Sequence, residues 1–301
     1  MAVIKERSSD KLFNIINLVL MTILMLVILY PLVYIISASL SNPDMVNTGK
    51  MWLFPVDITL EGYYRVFQDS EIIKGYGNTI FYTVGGTLIN LLFTLPAAYS
   101  LSKRHLLGRR FLMLFVTFTM YFSGGMVPTY LLVRSLGLMN SYFVLLINGA
   151  ISTTNLIISR TFFANGVPRD VEEAAFIDGC SPIKTFLVVV LPLSKAIMGV
   201  MALYYGVGHW NSWFSAMIYL TDRAKIPLQL VLREILIENQ MKAEMMAAGE
   251  YVDELLLDAQ VKAASLVRYA VIIVSSVPVL VVYPFLQKYF DKGVMIGSLK
   301  G

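Results

Sequence analysis

The sequence predicts an all-α, polytopic membrane protein with six transmembrane helices. Hydrophobic residues make up 57% of the 301 residues and charged residues only 15%, whereas a soluble domain carries about 25% charged residues. The charges are also clustered, so that six windows of 19 to 32 residues contain no Asp, Glu, Lys or Arg. A helix that crosses the apolar core of a bilayer needs about 20 residues of this kind. The composition therefore favours a lipid environment over water.

Each charge-free window predicts one spanning helix, because a charge at the centre of such a helix costs about 2.5 to 3.5 kcal/mol. In chain order, the predicted spans cover residues 13–39, 78–101, 111–133, 142–163, 197–220 and 268–288, within a single transmembrane domain over residues 1–301. Two alternatives fit poorly. Helices buried in soluble proteins average about 11 or 12 residues. The first apolar run, Leu12 to Leu40, is much longer than the core of a signal peptide, which has about 7 to 15 residues.

Lysine and arginine residues predict the orientation. Six spans place both termini on one side, and with the N-terminus inside, 14 of the 24 Lys and Arg residues lie in inner segments. Short cytoplasmic segments are enriched in these cations, and the turn from Ser102 to Arg110 is the clearest example. We therefore expect cytoplasmic N- and C-termini. The net charge of +4 follows from this topology and requires no nucleic acid partner.

Two predicted outer segments are long enough to fold. Residues 41–77 link the first two spans, and residues 222–267 form an extracytoplasmic loop before the sixth span. Apolar residues recur at helical spacing in the second segment, at Leu228, Val231, Leu232, Ile235 and Leu236. This pattern predicts an amphipathic helix. Such a helix rests on lipid and neighbouring helices, or it meets an extracytoplasmic partner, and the residues leave both alternatives open.

The predicted cytoplasmic loop, residues 164–195, carries local signals for a short helix. Asp170 and Glu173 form an acidic variant of the capping box, which satisfies free N–H groups at a helix start. The two alanines that follow favour the helix. Gly179 suits the left-handed conformation that ends a helix. We therefore predict a helix of about two turns between these residues.

A second helical segment is predicted to follow in the same loop. Ser181 is a good capping residue, Pro182 suits the first helical position, and Pro192 interrupts the segment before the fifth span. Helices this short are marginal in isolation, so they need packing against something else. A plain polar connection is the alternative. The single cysteine, Cys180, excludes an internal disulfide and is expected to be a small packed residue.

The order of residues in this loop resembles the coupling motif of bacterial ABC importer permeases. The motif reads here as Glu173-Ala174-Ala175, three residues, Gly179, nine residues, Val189, one residue and Leu191-Pro192. The departure is Val189, where isoleucine is usual, and the change is conservative.

More of the chain resembles permeases of the MalG and LplC type of oligosaccharide importer, and among these a permease of the alginate importer. The segments that carry the resemblance are Tyr121–Tyr130, Trp210-Asn211, Pro227–Gln229 and the ending from Gln287 to Gly301. The resemblance implies the fold of an ABC type I importer permease, located in the inner (cytoplasmic) membrane of a bacterial cell.

The resemblance also implies partners. These are a second homologous permease subunit, two cytoplasmic ABC ATPase subunits, an extracytoplasmic solute-binding protein and an oligosaccharide substrate. It implies that this chain binds no cofactor and is not an enzyme, with ATP and Mg²⁺ held by the ATPase subunits. The sequence agrees, because it contains no G-x-x-x-x-G-K-[ST] phosphate loop.

In the family, the short helix of the loop sits in a groove of one ATPase, which here implies residues 170–179. Glu173 is then the expected polar anchor and Gly179 the turn. The full expected coupling set is Asp170, Glu172, Glu173, Ala174, Ala175, Asp178, Gly179, Leu191 and Pro192. The tail from Asp291 to Gly301 resembles the segment that reaches the ATPase interface. The 222–267 loop corresponds to the segment that probes the binding protein in relatives.

Candidates for a substrate path lie mainly in the fifth predicted span. His209 is the one side chain in any of the windows that is able to carry a charge, which makes it a functional candidate, whereas His105 lies in the basic inner turn. Aromatic faces stack on sugar rings and Asn bonds to hydroxyls, so the expected path set is Tyr121, Tyr204, Tyr205, His209, Trp210, Asn211 and Trp213. Packing between helices is the alternative role for these residues. Neither histidine has the spacing of a metal ligand.

Four alternative functions make different predictions. A structural scaffold is one of them, and it leaves the capped loop without an explanation. An ion-coupled secondary transporter predicts carboxylates inside the spans, and the six windows contain none. A membrane-embedded enzyme predicts a cluster of His, Asp or Glu near one interface, which is also missing. An ABC importer permease for a non-sugar substrate remains an alternative.

Overall fold

The computed structural model describes residues 8–247 and 267–285, which form helices joined by turns and loops, with no strand among them. The prediction of an all-α protein is confirmed. The acidic part of the 222–267 loop, the end of the sixth predicted span and the tail from Asp291 to Gly301 lie wholly or partly outside the described residues.

Fifteen α-helices are described here, numbered in chain order. They are α1 (Ser8–Ser39), α2 (Pro43–Asn47), α3 (Glu61–Gln68), α4 (Ser70–Ser102), α5 (Arg109–Tyr121), α6 (Met126–Ser135), α7 (Tyr142–Ile147), α8 (Thr153–Asn165), α9 (Arg169–Ile177), α10 (Pro182–Lys184), α11 (Leu191–Leu193), α12 (Lys195–Trp210), α13 (Phe214–Tyr219), α14 (Leu228–Ala247) and α15 (Val267–Phe285). A π-helical turn, Thr185–Val190, joins α10 to α11, and a 3₁₀ turn, Arg223–Lys225, precedes α14.

Among the described residues, three helices are long and apolar enough to cross a membrane: α1, α4 and α15. Two bent pairs bring the number to five if each pair is one span. The first pair is α5 with α6, bent by 112°, and the second is Pro182–Leu193 with α12, bent by 83°. The described residues therefore do not fix the number of spans, and the count of six stays a prediction.

Glycines explain two of the interruptions in the predicted spans. Gly125, between α5 and α6, has φ +88°, and Gly149, between α7 and α8, has φ +80°. L-residues with a side chain rarely adopt this region, and glycine does so at little cost. The windows 111–133 and 142–163 are therefore each broken into two helices, which a count of charges alone does not reveal.

The chain forms two compact units. The first contains residues up to Asp69 together with 235–275. Its small core includes Ala38, Val46 and Met51, against which Tyr34 and Tyr269 pack. The apolar window of α1 has 0% of its residues buried within the chain.

The second unit contains residues 70–234 and the residues from Ser276 onward. Its centre is α4, which packs against α8 and α12. Their shared core includes Leu95, Tyr99, Phe163, Phe186 and Met201. This core reaches the loop that contains α9, so the loop is built on the main helices of the unit.

Candidate functional site

The helix α9 occupies the predicted docking segment, but its start differs from the prediction. The residue before the helix is Pro168, and no side chain caps the first turn. The predicted capping box of Asp170 and Glu173 is therefore wrong, because Pro168 with ψ 133° already sets the start and α9 begins at Arg169. Asp170 and Glu172 still lie in the first turn, where the helix dipole favours negative charge.

The end of α9 has the geometry that glycine supplies. Gly179 has φ +77°. Its N–H donates to Phe176 O at 3.0 Å, and the N–H of Cys180 donates to Ala175 O at 2.9 Å. These two bonds form a Schellman motif, which satisfies the last free carbonyls of the helix.

The following segment begins and ends near the predicted positions. Ser181 Oγ accepts a hydrogen bond from the N–H of Lys184 at 3.3 Å, and Pro182 is the first residue of α10. The segment Pro182–Leu193 ends one residue after Pro192, and the chain bends by 83° into α12. Leu191 packs against the core of the unit, whereas Pro192 is exposed.

A buried ion pair joins α9 to the end of α4. Glu172 is 8% exposed, and its carboxylate accepts from Lys103 Nζ and, at 3.2 Å, from Tyr99 OH. The Lys103 ammonium also lies 4.1 Å from the centre of the Tyr99 ring, a distance at which a cation is attracted to an aromatic face. The Tyr99 ring in turn packs against two aromatic rings, with its centre 4.9 Å from that of Phe186 and 5.8 Å from that of Phe163. The inner side of α9 is thus fixed by charge and by packing.

Among the residues that the structure describes, none covers the outer side of α9. Glu173, Ala174 and Asp178 are exposed, and so are Phe176 at 45% and Ile177 at 86%. Ala175, by contrast, is buried against the unit. The two neighbouring alanines of the motif therefore face opposite environments, and so do the two glutamates.

A polar cavity of about 330 Å³ lies between α4, α8 and α12. Tyr204, Tyr205 and His209 from the predicted path set line it, with Asn90, Asn148, Gly149, Ser152, Asn155, Ser212 and Ser215 among their neighbours. Ligand pockets have volumes of about 300 to 1,000 Å³, so this cavity lies at the lower end. Its wall offers hydroxyl, amide and imidazole groups.

Hydrogen bonds hold the cavity wall in place. His209 Nε2 lies 2.7 Å from Asn90 Oδ1, so Nε2 carries the proton that Oδ1 accepts. The Asn90 amide donates to Gly149 O at 3.1 Å and Ala150 O at 2.9 Å, the carbonyls at the break after α7. Tyr205 OH accepts from the N–H of Ser152 at 3.1 Å. The interruption between α7 and α8 is thereby tied to α4 and α12.

The three remaining residues of the fifth predicted span point elsewhere. Trp210 is 6% exposed and packs edge-on against Tyr76, with ring centres 5.8 Å apart. The Trp213 ring lies 3.7 Å from the Arg233 guanidinium. Asn211 is exposed and donates to the carbonyl one turn earlier. None of these three lines the polar cavity.

Tyr121 is also remote from that cavity. It is 74% exposed and lines an apolar hollow on α5 with Phe118 and its neighbours. The structure therefore brings together three of the seven residues expected along a substrate path.

The start of the 222–267 loop is fastened to α4. Asn78 donates to Ala224 O at 2.8 Å and to Ile226 O at 3.0 Å, and Tyr82 OH donates to Lys225 O at 2.9 Å. The N–H of Ala224 and the ammonium of Lys225 lower the pKa of Asp222. Leu228 is 1% exposed. The first turn of the predicted amphipathic helix is therefore packed within this chain.

No family model matches the sequence, but relatives match it over nearly their whole length. Protein LplC of Bacillus subtilis is 41% identical over 97% of this chain and 96% of its own. The polygalacturonan/rhamnogalacturonan transport system permease protein YtcP of the same organism is 39% identical over 97% and 99%. The trehalose/maltose transport system permease protein MalG of Thermococcus litoralis is 28% identical over 99% of each chain.

A solved structure is similar as well. It is a chain from a bacterial ABC transporter involved in the import of the acidic polysaccharide alginate, with a TM-score of 0.84 and 37% identity over 96% of this chain and all of that one. The chain belongs to the permeases of ABC sugar importers. Its relatives are transport permeases rather than enzymes, as predicted.

Sequence reasoning missed three residues of this permease that the structure places in the site. Lys103 was assigned only to the basic turn, Tyr99 only to a span, and Asn90 to no role. The isolated Asn90 in the middle of a charge-free window was a usable signal, because a polar group inside a span needs a partner. The pairing of Lys103 with Glu172 had no local signal, since 69 positions separate them.

Proposed function

We propose that this chain is the membrane permease of an ATP-driven oligosaccharide importer, in which it forms half of the translocation path across six spans. The observation that carries the proposal is the divided surface of α9. One side is fixed to the helix bundle through Glu172. The other side presents four exposed residues that no other part of the described chain covers: Glu173, Phe176, Ile177 and Asp178. Exposed apolar side chains on an anchored short helix suit a docking partner.

The proposed partner on this face is one of two cytoplasmic ABC ATPase subunits, which hold ATP and Mg²⁺. A second homologous permease subunit completes the path, and an extracytoplasmic solute-binding protein delivers the sugar. The proposed location is the inner membrane, with both termini cytoplasmic. ATP shifts the permease between inward- and outward-facing states only if docking differs in free energy between them.

The polar cavity supports an oligosaccharide as the substrate. Hydroxyl and amide groups with Tyr204 at one side match the hydrogen-bonding and stacking needs of sugar rings. The residues that line it include no Lys or Arg. We propose acidic oligosaccharides of the alginate type because the solved relative belongs to an alginate importer. The cavity itself does not favour an acidic sugar over a neutral one, because no Lys or Arg lines it.

Reconstitution in proteoliposomes tests the transport proposal. The chain and its partner subunits should take up oligosaccharide only when ATP is present. Uptake without ATP, or uptake driven by an ion gradient, would refute an ABC mechanism. Neutral and acidic oligosaccharides of equal length, compared in the same vesicles, test the substrate class.

Two variants test the docking face. Glu173→Lys reverses a charge on the exposed side, and Gly179→Pro removes the left-handed turn and the N–H that bonds to Phe176. We expect both to insert normally and to lose ATP-coupled uptake. Arg134→Glu, which reverses an exposed charge outside the 164–195 loop, serves as the control and should keep coupled uptake. Normal coupled uptake in both test variants would contradict the assignment of α9.

A further inference from the structure

Six apolar side chains are exposed in the segment that follows α1. They are between 61% and 75% exposed and comprise Trp52, Phe54, Ile58, Leu60, Tyr64 and Phe67. All six belong to the first compact unit. The proposed transport mechanism gives none of them a role. We call this set the apolar apron.

The helix α3 shows that the apron is more than a few scattered apolar residues. Gly62 and Val66 are buried on one side of it. Leu60, Tyr64 and Phe67 are spaced by four and three residues, which places them on one stripe on the other side. A helix on a water-exposed surface keeps one apolar face. A second apolar face requires a second apolar environment.

Hydrogen bonds fix the height of the apron relative to α1. Three of them join the end of α1 and the residue after it to the segment that carries the apron: Ser37 Oγ to Leu53 O at 2.6 Å, Thr59 N–H to Leu40 O at 2.9 Å, and Ser39 Oγ with Tyr63 OH at 2.8 Å. Leu53 stands between two apron residues, so the apron begins at the level of Ser37.

That level coincides with the C-terminal end of the predicted span 13–39, where we expect α1 to leave the apolar core of the membrane. After Ile36 the bulky apolar residues give way to small and polar ones, Ser37, Ala38, Ser39, Ser41 and Asn42, with Leu40 as the exception. Because a helix rises about 1.5 Å per residue, the bonded positions from Ser37 to Leu40 lie within about 5 Å of each other along the axis. The apron is therefore held at the boundary between acyl chains and water.

We propose that the apron inserts into the interfacial layer of the lipid bilayer at this end of α1. Trp and Tyr rings concentrate at that depth, and amphipathic helices lie in its plane with their apolar face toward the acyl chains. Continuity with α1 supports lipid as the occupant, since the apolar window of α1 also has 0% of its residues buried within the chain. The charged residues of α3 fit the same position, because Glu61 and Arg65 pair at 2.6 Å beside the stripe.

Nitroxide labels test this inference without reference to transport. The background is Cys180→Ser, which removes the single native thiol. Labels are then placed with Trp52→Cys, Tyr64→Cys and, as the matched control in the same segment, Lys50→Cys, which is exposed. The labelled chain, assembled with its partner subunits, is reconstituted in vesicles of phosphatidylethanolamine and phosphatidylglycerol.

The readout is collision of each label with oxygen, which dissolves in lipid, and with a water-soluble nickel chelate. We expect oxygen access several-fold above nickel access at positions 52 and 64, and the reverse at position 50. Nickel access at 52 and 64 equal to that at 50 would place the apron in water. Protection from both reagents would place a protein on it, and protection only after adding the solute-binding protein would identify that partner; each of these outcomes overturns the inference. If Trp52→Cys fails to assemble, Phe54→Cys takes its place.

Discussion

Replacing Glu172 by glutamine should loosen α9 from the end of α4. The side chains of Glu172 and Lys103 are 10% and 20% exposed, and the substitution keeps the volume while it removes the charge that Lys103 and Tyr99 OH contact. Breaking a buried ion pair on one side costs about 3 to 5 kcal/mol. Because Lys103 retains partial contact with water, we expect about 2 kcal/mol here, which corresponds to roughly a 30-fold larger population of detached α9.

Hydrogen exchange of the α9 amides measures this population. Local opening controls exchange, so the protection of the amides between Glu173 and Asp178 should fall by roughly the same 30-fold. Glu173→Gln is the matched control, because it removes an equal charge one residue later on the exposed side, and we expect its amides to exchange as in the native chain.

The double variant Glu172→Lys with Lys103→Glu should recover most of the protection, because it restores a pair of opposite charges. Equal exchange in Glu172→Gln and Glu173→Gln would refute the reasoning. In that case the Glu172–Lys103 ion pair would stabilise the attachment of α9 no more than a solvent-exposed ion pair does, which is about 0 to 1 kcal/mol.

Two further predictions concern other parts of the second unit. Gly86→Ala should distort the polar cavity, because the added Cβ would lie 2.4 Å from the His209 imidazole; such overpacking costs about 1 to 3 kcal/mol, and both uptake and thermal stability should fall. Gly85→Ala, which meets only a leucine methyl at 3.2 Å, is its control and should change little. Asp222 has a lowered pKa in the folded state, so its contribution should be present above about pH 4 and be lost as the pH falls through the folded-state pKa. Thermal unfolding of Asp222→Asn should therefore lose part of this acid dependence, and an unchanged profile would contradict the assignment.

The helical class was predictable because it depends on local composition, and the three long candidate spans, α1, α4 and α15, fall in charge-free windows for the same reason. A long window without charge has few alternatives to a buried or lipid-facing helix. The turn at Gly179 was predictable for a similar reason, since a helix that ends between α9 and α10 needs a residue that tolerates positive φ. Gly125 and Gly149 also adopt positive φ and interrupt helices. A search for charge-free windows takes no account of glycine, so the two predicted spans that contain these residues were drawn as continuous helices.

The cavity and the fixed side of α9 depend on contacts between distant parts of the chain. His209 meets Asn90 across 119 positions, and only the packing of α12 on α4 brings them together. Trp210 follows His209 directly, but on a helix it points about 100° away and packs on Tyr76 instead. Two adjacent residues of the expected path set therefore lie in different environments. Both lie in a charge-free window, so the sequence pattern did not distinguish the side that each of them faces.

The sequence likewise does not distinguish Glu172 from Glu173. In the structure Glu172 is buried and Glu173 is exposed, and this difference bears on how the loop works. A docking helix that moved independently of the spans would absorb the motion of its partner and pass none to the membrane. Glu172 prevents this by joining α9 to α4, and the contact of Tyr99 with Phe186 at 4.9 Å joins α4 to the segment that leads into α12. Glu173, one residue later and exposed, then remains available to the proposed ATPase. If the proposed ATPase docks at Glu173, the packed and paired groups between α9, α4 and α12 would carry its motion into the helix bundle, and the two carboxylates would serve successive steps of one coupling path.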